Sequence, residues 1–345
     1  MSVTLSFNPA GPQYRISEQS QMPDITATAT IANLTLDPKT PPQYQWVVTL
    51  IFDGKGCPNF AGSGTTHPEI KQTTTANTFK IPFTAVRGGD LLVSLTVTVG
   101  TTILTAKSEN LKVIGTNPSA STLGHFVDSL SAPVSFRKLM RVESGLQQFI
   151  TRSAEVWPLY SNDHLGGVGI CQVTTPPPTP DQVWIWKDNV KAGWVLYQDK
   201  QRSANAYPAH VRKSPAFQAL VKAYNDQRYE KQKQAALAAP AAGPKAEVPR
   251  KDLVISLPDY TAVQLERDTV RAFNGFAAGM HEFRVRVDTN GLLVVTEDEP
   301  NQKGAAEWEQ ISAAERIKEY DRVGIPANRR GDPNYVNDVE AKASF

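Results

Sequence analysis

No run in the chain approaches the roughly 18–20 consecutive apolar residues that span a bilayer, so no membrane insertion is expected. Cysteine is scarce: Cys57 and Cys171 are the two in 345 residues. They stand far apart, in no CxxC or Cys/His spacing, which excludes a disulfide framework and a zinc finger. The five histidines are scattered and none forms HExxH, so no metal is expected. No GK[ST] follows a glycine-rich turn, which excludes a phosphate loop, and no cofactor is implied. An excess of one charge is lacking too. Lys and Arg number 36 against 34 Asp and Glu, a formal net charge of +2. With both signs interspersed, neither nucleic acid nor an anionic membrane is implied as a partner. The opening residues MSVTLSFNPAGPQYR have no basic start and no apolar stretch, so no export signal is expected.

What is present divides in two. Residues 1–118 hold short β-branched and aromatic runs, among them TATATIANLTL, YQWVVTLIF, TFKIPF and LLVSLTVTV. Turn clusters such as LDPKTPPQ, DGKGCPN and RGGD separate them. This pattern predicts an antiparallel sandwich of immunoglobulin-like architecture. GTNPSAS, 115–121, reads as the junction. From 119 to 345 the apolar spacing turns helical, in FRKLMRVESGLQQF, WKDNVKAGWVLYQDKQRSANAY and SPAFQALVKAYNDQRYEKQKQAAL. The Pro/Ala/Gly-rich AAPAAGPKAEVPRK predicts a flexible insert around 227–251. EFRVRVDTNGLLVVTED alternates on both sides of Asn290-Gly291 and predicts a small β-hairpin. The fold class expected is multidomain: an all-β sandwich followed by a mainly α domain.

One carboxylate stands out. Glu143 lies four residues after Leu139, three before Leu146 and seven before Ile150, on the apolar stripe of its helix. An ordinary helix carboxylate there would turn outward to Arg137 or Arg141. Desolvation on the stripe disfavours the anion, which is how a carboxylic acid stays protonated near neutrality for proton donation. Gly145 weakens the helix directly afterwards and would expose the group at a cleft edge.

Two further stretches carry binding chemistry. GGVGICQVT, 166–174, combines glycines that permit close backbone approach with Gln172, whose amide both donates and accepts. A tight structural turn would look the same. VRAFNGF, 270–276, ends a helical pattern with Phe273, a ring face for a pyranose, and Asn274, an amide for hydrogen bonds. A core phenylalanine followed by a helix stop is the plainer alternative.

Taken in order, these motifs resemble the lysozyme-like lytic transglycosylases of glycoside hydrolase family 23, over residues 121–339. Glu143-Ser144 matches the family's E-S at a helix end. Gly166-Gly167-Val168-Gly169-Ile170-Cys171-Gln172 matches its glycine-rich segment. Asn189 to Gly193 matches its N-[IV]-x-x-G helix, and Ala272-Phe273-Asn274 its [AG]-[YF]-N. Cys171 stands where Met is common, Phe273 where Tyr is common, and Asp163 near a serine position that is unmatched. The resemblance implies a lysozyme-like domain with Glu143 as general acid and then base. Ser144, Gly169, Ile170 and Gln172 would line the cleft, and Phe273 and Asn274 would contact the acetylated sugar. Asn189 and Gly193 would fix the helix.

The substrate implied is the β-1,4 bond between N-acetylmuramic acid and N-acetylglucosamine in peptidoglycan strands, cleaved to a 1,6-anhydro product. An inverting muramidase would need a second carboxylate roughly 6.5–9.5 Å from the acid, and Asp163 is the candidate. A non-catalytic glycan-binding phage or baseplate component is the alternative of another class. Without an export signal, synthesis in the cytoplasm and action in the periplasm or wall of a target cell imply delivery. Residues 1–118 would then dock on a type VI secretion machine or a phage tail, and the producer would carry an immunity protein.

Overall fold

Alternation shapes the first hundred residues. In QYQWVVTLIF the side chains of Tyr44, Trp46, Val48, Leu50 and Phe52 are buried and those between them are not. This period of two places one strand face on a core. GDLLVSLTVTV repeats it with Leu91, Val93, Leu95 and Val97. The computed structural model describes residues 2–33, 40–53, 64–152, 155–161, 166–238, 247–275, 280–327 and 330–345. They form two compact units, Met1–Val195 with Lys342–Phe345, and Leu196–Ala341. Among the described residues no helix is long and apolar enough to cross a membrane.

The first unit opens with ten strands: β1 (Ser2–Asn8), β2 (Gln13–Arg15), β3 (Thr26–Ala32), β4 (Gln43–Phe52), β5 (Gly64–Thr65), β6 (Ile70–Thr74), β7 (Thr78–Lys80), β8 (Gly89–Val99), β9 (Thr102–Lys107) and β10 (Leu111–Ile114). One sheet runs β1-β3-β7. The other runs β2-β10-β8-β4-β5, with β6 also on β4 and β9 also on β8. All pairings are antiparallel except β2 with β10. The sheets share one core, in which Trp46 stacks on Phe79 at 5.4 Å and donates from Nε1 to Thr74 at 3.2 Å.

The chain continues through α1 (Ala120–Ser129), α2 (Val134–Ser144), β11 (Phe149–Arg152), β12 (Glu155–Pro158), α3 (Pro180–Trp184) and the start of α4 (Trp186–Lys213). Ser119 caps α1 by accepting the Thr122 N–H, and Thr179 and Gln182 form a capping box on α3. No break in the core falls at residue 118. Phe149, Tyr160, Val168, Val183 and Trp184 belong to the same buried cluster as the two sheets. The Trp184 ring meets Phe52 edge-on at 5.1 Å and lies 5.9 Å from Phe149. Burying each such side chain contributes roughly 1.5–3 kcal/mol, so the β-region and the segment after it stabilise each other.

The second unit holds the rest of α4, then α5 (Pro215–Ala238), β13 (Val254–Ser256), α6 (Ala262–Phe273), β14 (Phe283–Val285), β15 (Val295–Asp298), β16 (Lys303–Ala306), β17 (Trp308–Gln310), α7 (Ala313–Arg322) and α8 (Tyr335–Ala341). The flexible stretch expected around 227–251 begins inside α5, which continues to Ala238. Residues 247–251 are also tied down. Arg250 pairs with Asp226 and Asp252, and Arg228 donates to the Lys251 carbonyl at 2.7 Å. The buried Asn225 amide holds both backbone groups of Leu253, at 2.9 and 3.1 Å.

The Asn290-Gly291 turn forms as expected, with Gly291 at φ +77° and Asp288 N–H donating to Leu292. Among the described residues Val287 and Leu293 form the one bridge across it. The flanking strands then part: β14 pairs with β17, and β15 with β16, which also pairs with β13. Beyond residue 119 the described chain therefore carries more β-structure than one small hairpin. Segments such as VIS and KGAA are too short to show a period.

Candidate functional site

The site begins where α2 stops. Phe136, Leu139 and Met140 are fully buried and anchor the helix. Gly145 then takes left-handed angles, φ +62° and ψ +27°, and its N–H returns to the Arg141 carbonyl. This is the glycine C-cap that turns a chain sharply away from a helix. Leu146 is also left-handed, at φ +69°. Glu143 and Ser144 thus sit on the last turn, both half-buried.

The second part is a tight loop. Val168 and Val173 exchange backbone hydrogen bonds at 3.2 and 3.1 Å, and Gly169–Gln172 form the bend between them. Gly169 at φ +74° and Gln172 at φ +47° make the bend. Gln172 spends its amide donor on its own loop, giving a 2.8 Å bond to the Gly169 carbonyl. Ile170 and Cys171 are fully buried.

One hydroxyl joins the two parts. Ser144 Oγ donates to the Ile170 carbonyl at 2.8 Å. Glu143 is thereby brought beside the loop: its carboxylate adds to the effect of burial in pushing the Cys171 thiol well above the ordinary thiol range. α4 closes the loop from behind. The buried Asn189 accepts the Cys171 N–H at 2.9 Å and donates to the Val168 carbonyl at 2.8 Å. Gly193 allows the close approach, since a Cβ there would lie 2.4 Å from both Cβ and Sγ of Cys171. Asn189 and Gly193 therefore fix the loop more directly than the helix end.

Glu143, Ser144, Gly169, Ile170 and Gln172 come together in the first unit. Phe273 and Asn274 belong to the second. Phe273 is the last residue of α6 and half-buried, and Asn274 is its cap. The Asn274 Oδ1 is enclosed without a hydrogen bond among the described residues, against the bare backbone of Gly331. Asp163 lies outside the described residues, as does Cys57.

Two residues not singled out from the sequence matter here. Gln148 is fully buried, and Asn117 accepts the N–H groups of Gln148 and Phe149, both at 2.8 Å. In the sequence Gln148 is the second of two glutamines between Leu146 and Phe149, and Asn117 is one polar residue of the junction GTNPSAS; neither pattern signals a buried amide.

The second unit also encloses charge. Asp268 accepts from the Glu282 N–H at 2.6 Å and faces His281 Nδ1 at 2.8 Å. Burial raises the Glu282 carboxyl above its usual range, opposed by the Arg316 and Arg267 guanidiniums. No group of three or more His, Cys, Asp or Glu suited to a metal ion occurs among the described residues. Comparison with protein-family models, curated proteins and solved structures gave no match.

Proposed function

We propose that the chain cleaves the β-1,4 bond between N-acetylmuramic acid and N-acetylglucosamine in peptidoglycan, as a lytic transglycosylase. The supporting observation is the Ser144–Ile170 hydrogen bond, which seats the helix end bearing Glu143 on the Gly169–Gln172 loop. Two motifs that the resemblance pairs are thus in contact within one compact unit. On this reading residues 1–118 are an immunoglobulin-like sandwich and the residues after them build a lysozyme-like cleft.

Protonated Glu143 donates to the glycosidic oxygen as an oxocarbenium-like centre develops. The acetamido oxygen of the sugar assists at the anomeric carbon. The carboxylate left on Glu143 then takes the proton of the 6-hydroxyl, which closes the 1,6-anhydro ring. One carboxylate therefore serves both steps. Ser144 and the loop backbone line the groove. The chain reaches the wall of a target cell through a type VI secretion machine or a phage tail, and an immunity protein protects its producer.

The test is digestion of purified sacculi with wild type and Glu143→Gln, followed by mass spectrometry of the soluble products. Anhydro-muropeptides from wild type alone support the proposal. Reducing-end products that vanish with Asp163→Asn would replace it with hydrolysis by a muramidase. Binding without any release would replace it with a glycan-binding component.

A further inference from the structure

Ile170 is gripped on both sides by one short turn. Its carbonyl takes the Ser144 hydroxyl at 2.8 Å, and its N–H donates to Gln148 Oε1 at 3.2 Å. Ser144 and Gln148 flank the reversal at Gly145 and Leu146, immediately after Glu143. The other end of the Gln148 amide donates to the carbonyls of Val183, at 2.8 Å, and Gln182, at 3.1 Å. Two carbonyls on one side and an N–H on the other leave a single orientation for this amide. Its main chain is fixed as well: the N–H by Asn117, and the carbonyl by the Leu159 N–H at 2.9 Å. Gly169 shows how close the fit is, since a Cβ there would lie 2.4 Å from Gln148 Oε1.

We infer that Gln148 is a positioning residue, whose carboxamide sets the Gly169–Gln172 wall at the distance and angle from Glu143 that the chemistry needs. The geometric part stands alone. The catalytic part rests on the lytic activity proposed above. Ser144 holds the carbonyl of Ile170, which belongs to the peptide between residues 170 and 171. Gln148 holds the Ile170 N–H, which belongs to the preceding peptide, and so fixes the wall one peptide nearer Gly169. Asn189 grips the next N–H, that of Cys171, from α4. Gln148 is therefore the tie between the wall and the turn that carries the acid, and Asn189 the tie to the helix behind. Through Asn117 the tie continues to the junction that follows β10. A shift of about 1 Å in such a support costs on the order of a hundredfold in rate.

The full chain carrying Gln148→Met keeps the length of the side chain and loses the amide. Amide hydrogen exchange should then show fast exchange at Ile170 and continued protection at Cys171. On soluble, uncross-linked glycan strands, kcat should fall about a hundredfold with KM within about threefold of wild type. Val93→Ala, in the core of the sheets, is the control: it lowers stability without that split. Gln148→Glu adds a second readout. A protonated carboxyl can accept from Ile170 and donate to Val183, whereas the anion faces two carbonyls. Ile170 protection and kcat should therefore recover in this variant as the pH falls. If Ile170 stays protected in Gln148→Met, or kcat of the folded variant stays within about threefold of wild type, the inference is overturned. If the wild-type chain releases no product, the lytic proposal fails, and the exchange measurement alone decides the geometric role of Gln148. Should Gln148→Met not fold, the pH response of Gln148→Glu decides: no recovery in acid overturns the inference.

Discussion

The Cβ that Gly115 lacks would lie 2.4 Å from the ring of Phe149. The first residue after β10 is thus in direct contact with the first residue of β11, and the β-region reaches the neighbourhood of the candidate site. Removing residues 1–118 would uncover Phe149 and Trp184 and take away Asn117. The fragment 119–345 is therefore expected to be insoluble or to lose near-UV circular dichroism, in contrast to a detachable docking module. A cooperative thermal transition in that fragment would show the opposite. Gly115→Ala in the full chain should cost about 1–3 kcal/mol, measured by urea unfolding.

Gly193 and Cys171 should behave as a coupled pair. Gly193→Ala forces a methyl to within 2.4 Å of the Cys171 sulfur, and overpacking of this kind costs about 1–3 kcal/mol. In a Cys171→Ala background part of the crowding is relieved. A double-mutant cycle by chemical denaturation should give a coupling of about 0.5–3 kcal/mol. Additive losses would place the crowding elsewhere.

The Cys171 thiol should be inert in the folded chain. It is fully buried, and burial together with the Glu143 carboxylate opposes the thiolate, which is the reactive form. With Cys57→Ser as the background, a maleimide at mildly alkaline pH should leave the native protein unlabelled. Labelling should appear in step with unfolding by denaturant. Rapid labelling under native conditions would mean that the loop opens readily.

Acid should weaken α7 through Glu315. Bonds from Ser312 to its carboxylate, and then the Arg284 guanidinium, lower its pKa from 4.5 to about 2. A carboxyl held low contributes stability above its unfolded value, and this is lost as pH falls towards the folded value. Wild type should therefore lose its advantage over Glu315→Gln between 4.5 and about 2, followed by thermal unfolding. The side chain is 38 % exposed, so solvent screening reduces the size of the effect. A constant difference across that range would remove Glu315 as the cause.

Much of this architecture was legible in the sequence, for identifiable reasons. β4 and β8 are long enough for a period of two to show. The helix break at Gly145 and the bend at Gly169–Gln172 were legible because glycine is the residue such angles favour. Other features leave little mark. β13 and β16 are too short, and the partners of β14 and β15 are fixed by tertiary packing, so a strong hairpin turn misled. The boundary between the units falls inside α4, where helical spacing says nothing about which core each turn joins. Gln148 leaves no mark because a buried amide is recognisable only from the backbone groups around it.

The clasp made by Asn225 on Leu253, with Arg250 bound to Asp226, ties α5 to the residues that lead into β13. An amide that engages both backbone groups of one residue leaves that residue a single register. β13 therefore enters its sheet with Val254 opposite Lys303, and a slip by one place, which would turn Ile255 out of the core, is opposed before the strand begins.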